Sequence, residues 1–160
     1  MPKPDKTNAM RMLDTMKIPY EALSYENDGT AKDGVTVAHL VGESPERVYK
    51  TLVTLDDKGA PHVCVLPADK ELDLKAAARH FHVKSLAMEK VKDLKALTGY
   101  VRGGCSPISM KKPFPTVIEQ AATQQDYVLV SAGKIGLQLK IAPQSLALAA
   151  KAQFDTIVRS

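Results

Sequence analysis

Two cysteines, four histidines and a lysine set among apolar residues are the side chains of this 160-residue chain that could do chemistry. Cys105 lies in GYVRGGCSPISMKKPFP, Gly99 to Pro115. A nucleophilic thiol needs a lowered pKa, from a histidine, a cation or a helix N-terminus, and commonly a base with an orienting group. Arg102 and the Lys111-Lys112 pair are the nearby cations, but the sequence alone brings none of His39, His62, His80 or His82 to Cys105. The alternative is an inert thiol in a packed loop, since cysteine is among the most often buried residue types. Cys64, inside VCVL, reads as core.

Two cysteines without CxxC spacing suggest neither a disulfide framework nor a zinc site. His80 and His82 stand at i, i+2, so on a helix they point to different faces and lack the spacing of helical metal ligands. No metal is expected. Gly133-Lys134 follows the strand-like YVLVS as in a phosphate loop, but the GxxxxGK[ST] pattern fails twice. Val128 stands where the first glycine belongs, and Ile135 follows the lysine. What remains is a tight turn whose backbone N–H groups can face an anion.

Lys50 is unusual for its setting, VYKTLVTL. Strand alternation places it on the side of Val48, Leu52 and Thr54. A lysine there either snorkels to water or lines a cavity where its charge is used.

These residues must be positioned by a fold, and the composition bounds it. With 44% hydrophobic and 25% charged residues the chain reads as one globular domain, residues 1–160, large enough for a sizeable core. No apolar run approaches the roughly 18 residues of a membrane span, and MPKPDKTNAMRML has no apolar signal region. A cytoplasmic location without membrane association is the expectation. The net charge of +4 is compatible with a polyanion such as RNA without requiring one.

Met10, Leu13 and Met16 behind Thr7 predict an amphipathic helix ending before Pro19. A strand over Tyr20–Tyr25 and a short helix over Thr36–Val41, stopped by Gly42, follow. Val48–Leu55 and Val63–Leu66 flank Asp57-Lys58-Gly59 as a hairpin. Asp73 caps the helix LKAAARHF, and Glu89–Leu97 forms another, ending at Gly99. Strands at Thr116–Ile118, Tyr127–Ser131 and Leu137–Ile141 precede a helix from Pro143 to about Ala150, and Phe154–Val158 reads as a closing strand. Helices clustered between hairpin-like strands favour α+β with a mixed, largely antiparallel sheet.

In chain order, VYKTLV, LDLKAAARHF, ALTGY, GGCSPISMKK with TVIE, and VSAGKIGLQLKIAP resemble the YbaK/EbsC family. The resemblance runs from Lys17-Ile18-Pro19 to FDTIV. The family's best-known members are bacterial Cys-tRNA(Pro)/Cys-tRNA(Cys) deacylases, related to the editing domain inserted in bacterial prolyl-tRNA synthetases. The resemblance implies a curved, barrel-like mixed sheet surrounded by helices, with an editing pocket on it. It implies a deacylase acting on mischarged tRNA, tRNA(Pro) above all, with prolyl-tRNA synthetase as a partner and with no cofactor.

Residue by residue, Lys50 matches the family's essential lysine, which holds the terminal nucleotide or phosphate, and Thr51 follows it as in the family. Gly103 to Pro107 matches the GxxxP loop, whose amides face the scissile carbonyl. Ser131 and Gly133 match a serine and glycine beside the substrate, and Tyr25 a tyrosine lining the pocket. The resemblance therefore implies catalytic roles for Lys50, Gly103 and Gly133, and substrate binding by Tyr25, Thr51, Ser106, Pro107 and Ser131. Two positions depart from the pattern: Cys105 stands where the best-known members carry isoleucine, and Gln138 where some carry an acidic residue.

In Cys-specific members the substrate's own thiol attacks its carbonyl, and the protein contributes orientation and oxyanion stabilisation by amides. Three other functions stay open on the residues: a non-catalytic module of this fold that binds tRNA or anions, a deacylase for another amino acid such as alanine, and a Cys105-dependent thiol hydrolase.

Overall fold

Thr7 opens the first helix because its hydroxyl accepts a hydrogen bond from the Met10 amide at 3.3 Å, and the apolar positions Ala9, Met10 and Leu13 then bury one face. The computed structural model describes residues 6–159, in which five α-helices and eight strands are found. In chain order these are α1 (Asn8–Thr15), β1 (Glu21–Ser24), α2 (Gly34–Val41), β2 (Tyr49–Asp56), β3 (Pro61–Pro67), α3 (Leu74–Phe81), β4 (Leu86–Met88), α4 (Val91–Thr98), β5 (Thr116–Glu119), β6 (Val128–Lys134), β7 (Leu137–Ile141), α5 (Pro143–Ala150) and β8 (Ala152–Asp155).

The strands form two sheets, ordered β1-β7-β6 and β4-β2-β3-β5-β8. Pairing is antiparallel except for β3 with β5 and β5 with β8. This is the expected mixed, largely antiparallel α+β architecture. The single barrel-like sheet is not what forms among the described residues. The sheets touch through one parallel bridge, Val48 to Leu129, and regular pairing on β6 is interrupted between Ser131 and Lys134. Beyond the Val48–Leu129 bridge no ladder joins β2 to β6 among the described residues, and a cavity lined from both sheets is the candidate site.

Several boundaries move: β3 starts at Pro61, α4 starts at Val91 and β6 runs on to Lys134. The C-terminal strand begins at Ala152 because Lys151 adopts a left-handed conformation and ends α5 at once, while Val158 pairs only with Leu72. Strand β4 has no counterpart in the sequence reading; Leu-Ala-Met is three residues long and lacks any β-branched side chain.

The main core collects Leu13, Ile118, Val130, Leu139 and Leu146. A second lies under α3, around Cys64, Leu66 and Ile157, and a third under α2, around Tyr25, Val37 and Leu129. Truncating one such leucine to alanine costs about 2–5 kcal/mol, so these clusters fix the frame on which the site rests.

The edge of β2 that faces away from β3 is partly bare. The Val48 carbonyl accepts from Ala68 on the β3 side, whereas the Val53 carbonyl accepts from Glu89 on the other. Backbone direction alternates along a strand, so Thr51 also turns its N–H and C=O away from β3. Between the Val48–Leu129 bridge and the start of the β4 ladder at Thr54, no strand among the described residues covers that edge.

Candidate active site

Beyond the Val48–Leu129 bridge, a cavity of about 720 Å³ opens. Its walls are the uncovered edge of β2, Ser131 and Gln138 from the β6–β7 pair, the Arg102–Gly103 loop, and residues 31–34 ahead of α2. Because the β2 edge is bare, the cavity reaches both faces of that strand. Lys50 and Thr51 therefore both line it although their side chains point oppositely.

Lys50 is half-buried, and its ammonium donates to the Ala68 carbonyl at 3.4 Å. Burial pulls its pKa below the usual lysine value, against an upward pull from Glu71 and Asp69. An ammonium has three donors. Ala68 takes one weakly, which leaves the group suited to a negatively charged or carbonyl ligand. Of the two sequence alternatives, the cavity-lining one is observed.

The Gly99–Pro115 loop is fastened at both ends. The Tyr100 hydroxyl donates to the Ile108 carbonyl at 2.6 Å, the Lys111 amide donates to the Thr98 carbonyl at 3.0 Å, and the Gly104 amide closes a turn onto Val101 at 2.9 Å. Gly103 has φ +83°, and a Cβ there would stand 2.8 Å from the Ala31 Cβ. Gly104 lies against the β6–β7 turn, where a Cβ would come within 3.0 Å of the Lys134 Cα. The double glycine thus lets two turns and the segment before α2 meet at the cavity wall.

Three residues of the cavity carry buried oxygens without a hydrogen-bond partner: the Tyr49 hydroxyl, the Thr51 hydroxyl and the Gln138 amide oxygen. An unmet buried polar atom costs about 1–3 kcal/mol, and such atoms call for an explanation. Tyr49 and Thr51 share one face of β2, and Gln138 pairs with Ser131 across the β6–β7 ladder. Burial, and then the charge of Glu119, push the Tyr49 pKa upward, so the phenol stays protonated and able to donate.

The predicted site residues thus divide. Lys50, Thr51, Gly103 and Ser131 meet around the cavity. Tyr25, Ser106, Pro107 and Gly133 do not line it. Tyr25 packs in the core under α2, and Ser106 is fully buried, with its hydroxyl accepting from the Ile108 amide at 3.2 Å. The Gly133 amide donates to the Ser131 hydroxyl at 3.1 Å and so holds a residue that does line the cavity. Cys105 reaches the cavity wall, yet burial pushes its thiol up to about 12, far from a thiolate. Cys64 is core, as expected.

Tyr49 and Arg102 also line the cavity, and neither is marked by a motif in the sequence. Tyr49 looked like an ordinary apolar strand residue; its signal was alternation, which puts it on the face of Thr51. His80 and His82 sit apart from the cavity, beside a separate cleft where His80 Nδ1 meets Asp155 Oδ2 at 2.8 Å. Among the described residues no group of three or more His, Cys, Asp or Glu side chains could hold a metal ion, and no helix is long and apolar enough to cross a membrane.

Comparison with known proteins adds a family. Residues 29–148 match the profile of the aminoacyl-tRNA editing domain. A protein of Enterococcus faecalis, EbsC, provisionally named a Cys-tRNA(Pro)/Cys-tRNA(Cys) deacylase, is 43% identical over 152 residues, covering 95% of this chain and 93% of that protein. Among solved structures, a hypothetical protein superposes with TM-score 0.85 at 21% identity, over 93% of this chain and 97% of its own. Another, provisionally described as a trans-editing enzyme for prolyl-tRNA synthetase, gives TM-score 0.83 at 19% identity, over 98% and 100%. At those identities the structural likeness speaks for the fold.

Proposed function

The chain belongs to the aminoacyl-tRNA editing domain family, and on that premise we propose that it is a trans-editing deacylase that removes cysteine from mischarged tRNA(Pro). In this reading residues 1–160 form one editing domain acting in the cytoplasm without a cofactor. The observation that carries it is the cavity, in which a lysine with donors to spare stands beside unpartnered oxygens.

An aminoacyl ester is already activated, so no protein nucleophile is needed. The cysteine sulfur of the substrate attacks its own ester carbonyl, the bond from that carbon to the ribose oxygen breaks, and the thiol proton passes to that oxygen. Free tRNA leaves with a cyclic thioester that water opens to cysteine. Lys50 holds the 3′-terminal nucleotide, and the Gly103 backbone faces the carbonyl as its oxygen gains charge. Ser131, braced by the Gly133 amide, and Thr51 bind the aminoacyl group. Tyr25, Ser106, Pro107 and Gly133 act one layer out, shaping the wall. No histidine lines the cavity and burial pushes the Cys105 thiol up, which argues against the Cys105 hydrolase.

The test is a deacylation panel of Cys-, Ala- and Ser-charged tRNA(Pro), with and without prolyl-tRNA synthetase. Release of cysteine is expected, retained in Cys105→Ala. Release of alanine alone overturns the cysteine assignment, and no release from any of the three overturns the deacylase.

A further inference from the structure

The whole net charge of the protein is concentrated beside the cavity. Residues 89–112 carry six Lys/Arg against two Asp/Glu, a net +4; the 16 basic and 16 acidic residues elsewhere cancel, leaving the chain's total of +4. The six are Lys90, Lys92, Lys95, Arg102, Lys111 and Lys112, all exposed, and none is in an ion pair among the described residues.

The loop is tied to the helix at Lys111, which brings the two cation-bearing segments side by side. The Lys111 amide donates to the Thr98 carbonyl at 3.0 Å, and its ammonium reaches the Ala96 carbonyl at 3.4 Å. Both segments border the cavity directly: Glu89, Leu94 and Arg102 line the cavity while the lysines of α4 stay in solvent. Two large apolar side chains are exposed here, Met88 on the cavity wall at 47% and Val101, next to Arg102 in the chain, at 45%.

We infer that α4 and the Gly99–Lys112 segment form the docking surface for the phosphate backbone of the RNA acceptor end, whose 3′ terminus then enters the cavity. The inference rests on the deacylase reading only in taking tRNA as the RNA. Exposed cations without ion-pair partners beside the cavity suit backbone phosphates, and the exposed Met88 and Val101 suit the faces of unpaired terminal bases. An acidic protein or an anionic membrane would also meet the charge, but neither needs a cavity at its edge.

The experiment uses the whole protein and an uncharged acceptor-end RNA hairpin, so it does not depend on hydrolysis. Binding is measured from 50 to 300 mM salt for wild type, for Lys90→Gln/Lys92→Gln/Lys95→Gln/Lys112→Gln, and for the charge-matched control Lys58→Gln/Lys75→Gln/Lys84→Gln/Lys151→Gln. The first variant should lose affinity on the order of 100-fold near physiological salt, with a log–log salt slope shallower by about three. The control should keep most of both. With Cys-tRNA(Pro), the first variant should raise KM and leave kcat unchanged. Equal losses in both variants overturn the inference, as does tighter binding to phosphatidylserine vesicles than to the hairpin. A protein that binds the hairpin through α4 but releases no amino acid leaves this surface standing and removes the deacylase.

Discussion

The cavity beside β2 and the cleft beside α3 are both polar depressions, but their polar groups are satisfied differently. In the cleft, about 390 Å³ in volume, His80 and Asp155 bind each other at 2.8 Å, and the Asp155 carboxylate also accepts from the Thr156 amide at 2.8 Å. In the cavity, the oxygens of Tyr49, Thr51 and Gln138 have no partner, and Lys50 has one long hydrogen bond. A polar group paired inside the protein has its desolvation offset, whereas an unpaired one in a cavity can take its partner from water or a ligand. A histidine–aspartate pair attracts attention in a sequence, yet here it is the less demanding site.

Removing Lys50 should separate the two regions most sharply. Lys50→Ala is expected to lower kcat/KM for Cys-tRNA(Pro) by about 100- to 1,000-fold, the range for losing one placed donor. Its unfolding midpoint should not fall. Burial holds the folded-state pKa below the unfolded one, so at neutral pH the charge opposes folding, an effect relieved only as pH rises through the folded pKa. His80→Ala should leave turnover within about twofold. Equal losses in the two variants would erase the distinction between the regions.

Gly103 tests how far the cavity wall depends on close approach. Gly103 and Gly59 have nearly equal positive φ, +83° and +82°, but a Cβ at Gly59 meets nothing within 4 Å. Gly59→Ala should therefore show conformational strain alone, about 1–2 kcal/mol. Gly103→Ala adds the 2.8 Å encounter with Ala31, which would displace the backbone that the proposed mechanism sets against the ester carbonyl. Deacylation should drop roughly 100-fold in that variant, by the scale of a lost oxyanion donor, and stay near wild type in Gly59→Ala. A harmless Gly103→Ala would detach the loop from the reaction.

Tyr49→Phe sharpens the same contrast, because its two effects oppose each other. Deleting an unpartnered hydroxyl should raise stability by about 1 kcal/mol. Losing a donor reserved for the substrate should lower kcat/KM by roughly tenfold, about the worth of one hydrogen bond. A loss of stability instead would show that the hydroxyl is already satisfied in solution.

Much of this was legible in the residues. The Thr7 and Asp73 caps, the Gly42 and Gly99 stops and the β2–β3 hairpin carry local signals, and each stands where the chain places it. Alternation around Lys50 narrowed it to two settings, snorkelling to water or lining a cavity, without choosing between them. The rest depends on contacts distant in sequence. Whether Tyr25 or Tyr49 reaches the cavity is decided by where β6 and β7 lie, and VYKTLVTL does not encode that. The Gly133 amide is occupied by Ser131 because β6 loses register after that residue, which no turn motif announces. The cavity itself is lined from two sheets that meet at the Val48–Leu129 bridge, so it has no sequence motif at all.

The smallest effect belongs to the cleft. The His80 imidazole, followed by the Thr156 amide, holds the Asp155 carboxyl below its ordinary pKa. A carboxyl with a depressed folded-state pKa stabilises the protein above the unfolded value, about 3.9, and loses that contribution as pH falls through the folded value. Asp155 is about half exposed, so solvent screening keeps the contribution under about 1 kcal/mol. Urea midpoints of wild type and Asp155→Asn should therefore differ slightly at pH 7 and converge as pH falls through the depressed Asp155 pKa, with deacylation equal in both. A gap that persists in acid would assign the cleft's contribution to packing and neutral hydrogen bonds, while a loss of deacylation would join the cleft to the active site.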